Sequence, residues 1–192
     1  MTKDERIREA QRQLDLALQT SDIGLSPAQR VLQQAIRDLE FWQRNEKNKG
    51  KLEDFRKGVL VESGWDFGWG DTGECGAFAA RWWRAGGVVL PESGRTGQGD
   101  KGKWYPIDQR TATPDDMLNC FRKWGCCLSV DEWRKVKPGD LVVTSDVRTG
   151  HAAIVEDVDL QSGKMFTIEA NYSGRIQRVV CGLDKVRGFG SL

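Results

Sequence analysis

The chain reads as an α+β domain, with helices first and an antiparallel sheet of at least four strands after them. Three observations carry this reading. Apolar residues recur at helical spacing through residues 26 to 44 and again from Cys75 to Ala85. From Asp140 to Cys181, β-branched runs alternate with turn residues. The connections between those runs are too short for crossovers, so neighbouring strands should be antiparallel.

The elements follow in order. Residues 3 to 20 read as an amphipathic helix, with Ile7, Leu14 and Leu18 at helical spacing and Ala10 and Ala17 beside them. Gly24 breaks it. Ser26-Pro27 opens a second helix: serine caps the free N–H groups, and the fixed φ of proline suits a first turn. Val31, Leu32, Ala35, Ile36, Leu39 and Trp42 form its apolar stripe to about Arg44. The two together resemble a helical hairpin over residues 1–50, and the polar run Asn45 to Lys51 leads into a domain over 51–192. The hairpin is either a packing arm on that domain or a docking arm for a partner. Leu52 to Gly58 is a further helical turn. Gly64-Trp65-Asp66-Phe67-Gly68-Trp69-Gly70 is a loop leading to the Cys75–Ala85 helix, which Gly86-Gly87 closes. Residues 91 to 116 are loop-rich, with Gly94, Gly97, Gly99 and Gly102, and a loop of that length usually carries a function or is disordered. Asp115 to Trp124 is a helix with Thr113 as its cap. Pro138-Gly139 turns into a strand, Asp140 to Thr144. His151 to Val158 and Lys164 to Ala170 are joined by Gln161-Ser162-Gly163, and Tyr172-Ser173-Gly174 turns into Arg175 to Cys181.

Composition narrows the function. In 192 residues, 29 Lys and Arg face 28 Asp and Glu, a net charge of +1. That balance argues against a nucleic-acid binder driven by phosphate attraction. No apolar run approaches the roughly 18 residues of a membrane span, so no integral membrane segment is expected. Met1 to Arg6 leads into a polar helix without a signal-peptide core. The expectation is synthesis in the cytoplasm, with any action on the periplasm or cell wall reached by a signal-independent route. The five cysteines include the vicinal pair Cys126-Cys127. A Cys120–Cys181 or Cys127–Cys181 disulfide is open in an oxidising compartment, and buried reduced thiols are the plainer reading. One histidine and no Cys-x-x-Cys give no zinc pattern, and no metal or organic cofactor is implied.

That single histidine, His151, makes the chemistry sharp. It opens an apolar strand just after Arg148-Thr149-Gly150. Cys75 stands in the first turn of its helix, where unpaired N–H groups favour a thiolate and its own N–H can donate to an oxyanion. Gly76 leaves room beside the sulfur. If the fold joins the two, they form a thiolate–imidazolium nucleophile. Glu169 or Asn171, on one face of a strand, can accept from the other ring nitrogen.

Gly73-Glu74-Cys75-Gly76-Ala77-Phe78-Ala79, Lys137-Pro138-Gly139-Asp140-Leu141-Val142, Gly150-His151-Ala152-Ala153-Ile154-Val155 and Glu169-Ala170-Asn171 resemble, in order, the blocks of CHAP amidases. These belong with the NlpC-type peptidases among papain-like cysteine hydrolases. The resemblance covers about residues 60 to 190. It implies a papain-like core and cleavage of amide bonds in peptidoglycan stem peptides or at the muramoyl–alanine link. It also implies Cys75 as nucleophile, His151 as base, Glu169 as ring orienter and Asn171 as a second polar partner. Glu74 departs from the glutamine that members often have before the cysteine. A carboxylate there opposes ionisation of the thiol unless it turns away, and it is a candidate to meet an amine of the substrate. The second oxyanion donor is left unassigned.

Among the eight tryptophans, core packing accounts for most, and Trp65, Trp69 and Trp104, in Gly-rich loops, are the candidates for stacking on substrate. The functional expectation is a peptidoglycan amidase or endopeptidase, delivered as an antibacterial toxin by a type VI-like secretion system and matched by a cognate immunity protein. The alternatives are a phage-type endolysin, a cytosolic cysteine amidase, acyltransferase or deamidase on another substrate, and an inactive binding module. A first check needs no substrate. Alkylation followed by peptide mapping should label Cys75 much faster near neutral pH than the other four thiols; equal rates would leave only the binding module.

Overall fold

The computed structural model describes residues 24–62, 74–87, 96–98, 104–106, 114–145, 150–172 and 175–191. The amphipathic segment 3–20, Trp65, Trp69 and most of the 91–116 loop lie outside the described residues, as do the side chains of Glu74, Trp104 and Asn171.

Four described helices precede or flank the sheet: α1 (Pro27–Arg44), α2 (Lys49–Glu62), α3 (Glu74–Ala85) and α4 (Pro114–Trp124). At the start of α1 the Ser26 side chain accepts from Gln29 N–H, and the Gln29 side chain returns the bond to Ser26 N–H. This reciprocal cap and Pro27 at the first position explain why the helix begins there. The polar run after Arg44 is shorter than its composition suggests. It is one turn, and α2 has begun by Lys49, with the Asn48 side chain accepting from Lys51 N–H. Its apolar face is thin, so sequence periodicity marked only its middle. The aromatic row Phe41–Phe55–Phe78–Trp82, with ring centroids 4.7, 5.9 and 5.9 Å apart, ties α1, α2 and α3 together.

β1 (Thr96–Gln98) and β2 (Trp104–Pro106) form a small antiparallel pair. The main sheet holds β3 (Cys127–Leu128), β4 (Leu141–Thr144), β5 (His151–Asp159), β6 (Lys164–Tyr172), β7 (Arg175–Gly182) and β8 (Val186–Gly190), in the order β3-β8-β4-β5-β6-β7. All pairings are antiparallel. The expected four-strand meander β4 to β7 is therefore present, and β8 returns to pair with β4. β8 (Val-Arg-Gly-Phe-Gly) carries two glycines and little β-branching, which hides a strand from a propensity reading.

The sheet has two covered faces. Leu141, Val143, Ala152, Ile154, Ile168, Ala170 and Ile176 pack under the helices with Val31, Leu39, Phe78, Trp82 and Phe121. Val142, Ala153, Val155, Met165, Cys181 and Phe189 form a second core with Trp133 and Val136. Alternation along β4, along β5 as far as Val155 and along β6 as far as Ala170 assigns each of these residues to its face. Trp42, Trp82, Trp83, Trp124 and Trp133 are all core or core-edge residues. All five cysteines are thiols, so neither Cys120–Cys181 nor Cys127–Cys181 is bridged. No described helix is long and apolar enough to cross a membrane.

Helix α1 crosses the helical face of the sheet and is keyed to it at two places. Gly139, in the turn before β4, has φ +96°, and a Cβ there would run into the Ala28 backbone. Arg30 donates to the Gly86 carbonyl at the end of α3, at 3.0 Å. In the middle, buried Asp38 accepts from Trp82 Nε1 at 2.8 Å, Arg81 Nε at 3.1 Å and Gln34 Nε2 at 2.8 Å. Removing that carboxylate strands an indole N–H and an amide in the core. Asp38→Ala should therefore cost roughly 3 kcal/mol of stability, read as a lower urea midpoint; a loss under about 1 kcal/mol would show the cluster to be replaceable.

Candidate active site

The thiol comes from the first turn of α3, and the imidazole from the first residue of β5. Gly150 precedes His151 with φ +78° and lies against Pro114 and Val143, so the chain turns tightly into the strand. Because His151 begins β5, its ring stands at the strand end, where the start of α3 meets the sheet. Glu169 comes from β6, one strand over, where Ala153 is its cross-strand partner. The small Ala153 and the diagonal register let the carboxylate reach the ring: His151 Nε2 lies 3.0 Å from Glu169 Oε2. The other oxygen, Oε1, accepts from the Thr167 hydroxyl at 2.7 Å. Cys75, His151 and Glu169 are 7%, 6% and 2% exposed, so the row is almost dry.

Burial and contact pull the ionisation in opposite directions. Burial alone would raise the Cys75 pKa, but the hydrogen bond to His151, the charge on that ring and the backbone N–H groups of Ala152 and Gly76 outweigh it and hold the thiol below its usual range. Burial likewise disfavours a charged imidazole. Contact with Cys75 and Glu169 overrides it and pushes His151 up to about 10. With Nε2 turned to Glu169, Nδ1 is the nitrogen left for the sulfur. The arrangement favours a thiolate–imidazolium pair backed by a carboxylate, the charge state needed for nucleophilic attack on a carbonyl carbon.

The structure thus brings together Cys75, His151 and Glu169. Between the two ring orienters left open by alternation, Glu169 makes the contact. Asn171 follows on β6 and Glu74 opens α3, with neither side chain described. Trp104 lies in β2. Two contributors were not anticipated from sequence: the Ala152 N–H at the sulfur and the Thr167 hydroxyl at Glu169. The second had a signal, since a threonine two residues before a strand glutamate shares its face.

A thiol at the start of a buried helix, facing a histidine at the head of an antiparallel sheet, is the arrangement of the papain-like cysteine hydrolases. The CHAP domain model matches residues 63–171, more than half of the chain. The chain belongs to the CHAP family, whose members are usually cysteine amidases or peptidases that act on peptidoglycan. No curated protein and no solved structure matches it.

The charge pair has a measurable pH signature. A ring whose pKa is raised from 6.5 to about 10 keeps its proton through neutral pH, and its stabilising contribution, full below 6.5, declines as pH rises and is gone above about 10. As His151 is the only histidine, its imidazole resonances are unambiguous. They should still report an imidazolium at pH 8, and Cys75→Ala should move the midpoint down. A wild-type midpoint near 6.5 would dissolve the ion pair.

Proposed function

We propose that this chain is a cysteine amidase or endopeptidase that hydrolyses amide bonds of peptidoglycan, in the stem peptide or at the muramoyl–alanine link. The observation that carries the reading is the buried row Cys75–His151–Glu169, with the sulfur at a helix start and the ring held from behind at 3.0 Å. The thiolate attacks the amide carbonyl, and the tetrahedral oxyanion gathers at the Cys75 backbone N–H. The imidazolium gives its proton to the leaving amine as the C–N bond breaks, which leaves a thioester on Cys75. Neutral His151 then takes a proton from water, whose oxygen attacks the thioester and releases the carboxylate product and the thiolate. Glu169 holds the ring in place throughout, with Asn171 as a second polar partner. Glu74, Trp65, Trp69 and Trp104 are proposed contacts for the substrate.

Peptidoglycan lies outside the inner membrane. For delivery we propose an antibacterial effector that is carried to the periplasm and neutralised in the producing cell by a cognate inhibitor protein. Purified protein incubated with sacculi, followed by mass spectrometry of the soluble fragments, tests the activity. Wild type should release fragments with one new amine and one new carboxyl end. Cys75→Ala and His151→Ala should each lose at least about a thousandfold in rate, and Glu169→Gln about ten- to a hundredfold. Sacculi left intact by wild type, or cut equally by Cys75→Ala, would remove the proposal.

A further inference from the structure

We infer that Thr167 is a positioning residue of the active site, whose hydroxyl pins Glu169 so that the carboxylate stays against the His151 ring. The inference rests on the reading of Cys75, His151 and Glu169 as one catalytic row. Thr167 and Glu169 stand two residues apart on the same face of β6. Thr167 is fully buried, and it pairs with Val155, further from His151 than Ala153, the partner of Glu169. Its Oγ1 lies 2.7 Å from Glu169 Oε1 and 3.3 Å from the carbonyl of Val179 on β7. A hydroxyl has one proton to give. The short contact with a carboxylate is the charge-assisted one, and the longer contact with the carbonyl is the weaker alternative.

Among the described residues, Glu169 has little other support. One oxygen faces the ring and the other faces Thr167. A glutamate has three rotatable bonds, and a buried carboxylate oxygen without a donor costs the full desolvation of that atom. With the hydroxyl gone, Oε1 turns in search of a donor and takes Oε2 off Nε2. The ring then loses its anchor, and its charge is held less firmly beside the sulfur. Thr167 acts on the sulfur only through two intervening side chains, so its removal should weaken catalysis without abolishing it. A loss of about ten- to a hundredfold, the scale seen when the hydrogen-bond partner of a metal-ligating side chain is removed, is expected by analogy for a group that orients a catalytic ring.

Packing and hydrogen bonding can be separated by substitution. Thr167→Ser keeps the hydroxyl and drops the methyl group, Thr167→Ala drops both, and Thr167→Val keeps the shape. The readouts are the titration of the only histidine by NMR and the rate of iodoacetamide alkylation at Cys75 at pH 7, neither of which needs substrate. Thr167→Val and Thr167→Ala should move the His151 midpoint down by a unit or more and slow alkylation about tenfold, with Thr167→Ser close to wild type. On sacculi the same two variants should lower kcat with KM little changed. If Thr167→Val fails to fold, the Ser and Ala pair still isolates the hydroxyl, because both lack the methyl group. Equal midpoints and rates in wild type and Thr167→Ala would overturn the inference and leave the catalytic row standing. A wild-type Cys75 no more reactive than the other thiols would overturn both.

Discussion

Everything in this candidate site depends on burying a charge pair that neither partner would tolerate alone. A lone thiolate and a lone imidazolium at under a tenth exposure would each surrender their charge to the low dielectric around them. Contact, with Glu169 behind the ring and two backbone N–H groups at the sulfur, works against that loss by lowering the thiol pKa and raising that of the ring. The first turn of α3 must therefore meet the head of β5, and β6 must lie beside β5 in a register that places residue 169 opposite 153. The sheet order and the seating of α3 are consequences of that requirement as much as causes of it.

The blocks shared with the CHAP family divide by physical task. The Cys75, His151 and Glu169 blocks carry charge. The Lys137-Pro138-Gly139-Asp140 block carries shape. Asp140 accepts from Lys137 N–H at 2.8 Å and closes the turn, Val155 bonds to both Gly139 and Asp140, and Gly139 leaves space for the Ala28 backbone. This block sets where β4 starts and how closely α1 approaches. Through Asp38 and the aromatic row, α1 also grips α3, the helix that presents the sulfur.

The tryptophans and cysteines show how composition can mislead when read alone. Trp82 and Trp83 follow Cys75 closely in sequence, yet they are buried in the helical core. Cys120 is buried beside the core and Cys181 belongs to the second core, so both serve as small apolar side chains without a disulfide. Cys75 is just as buried by exposure, and only its neighbours distinguish it.

Local physics made much of this protein legible in its sequence. Ser26-Pro27 and Gln29 marked the start of α1, since capping and proline φ act within one turn. Alternation and tight turns marked β4 to β7, since side-chain period and loop length are local properties. A single histidine and a cysteine at a helix start pointed to the pair that the fold brings into contact. Tertiary structure alone decided what depends on residues distant in sequence. It placed β8 beside β4, chose Glu169 to face the ring, and put Thr167 behind it and the Ala152 N–H at the sulfur. Each of these is a contact across strands or layers, where register and burial set the distance and no local pattern encodes it.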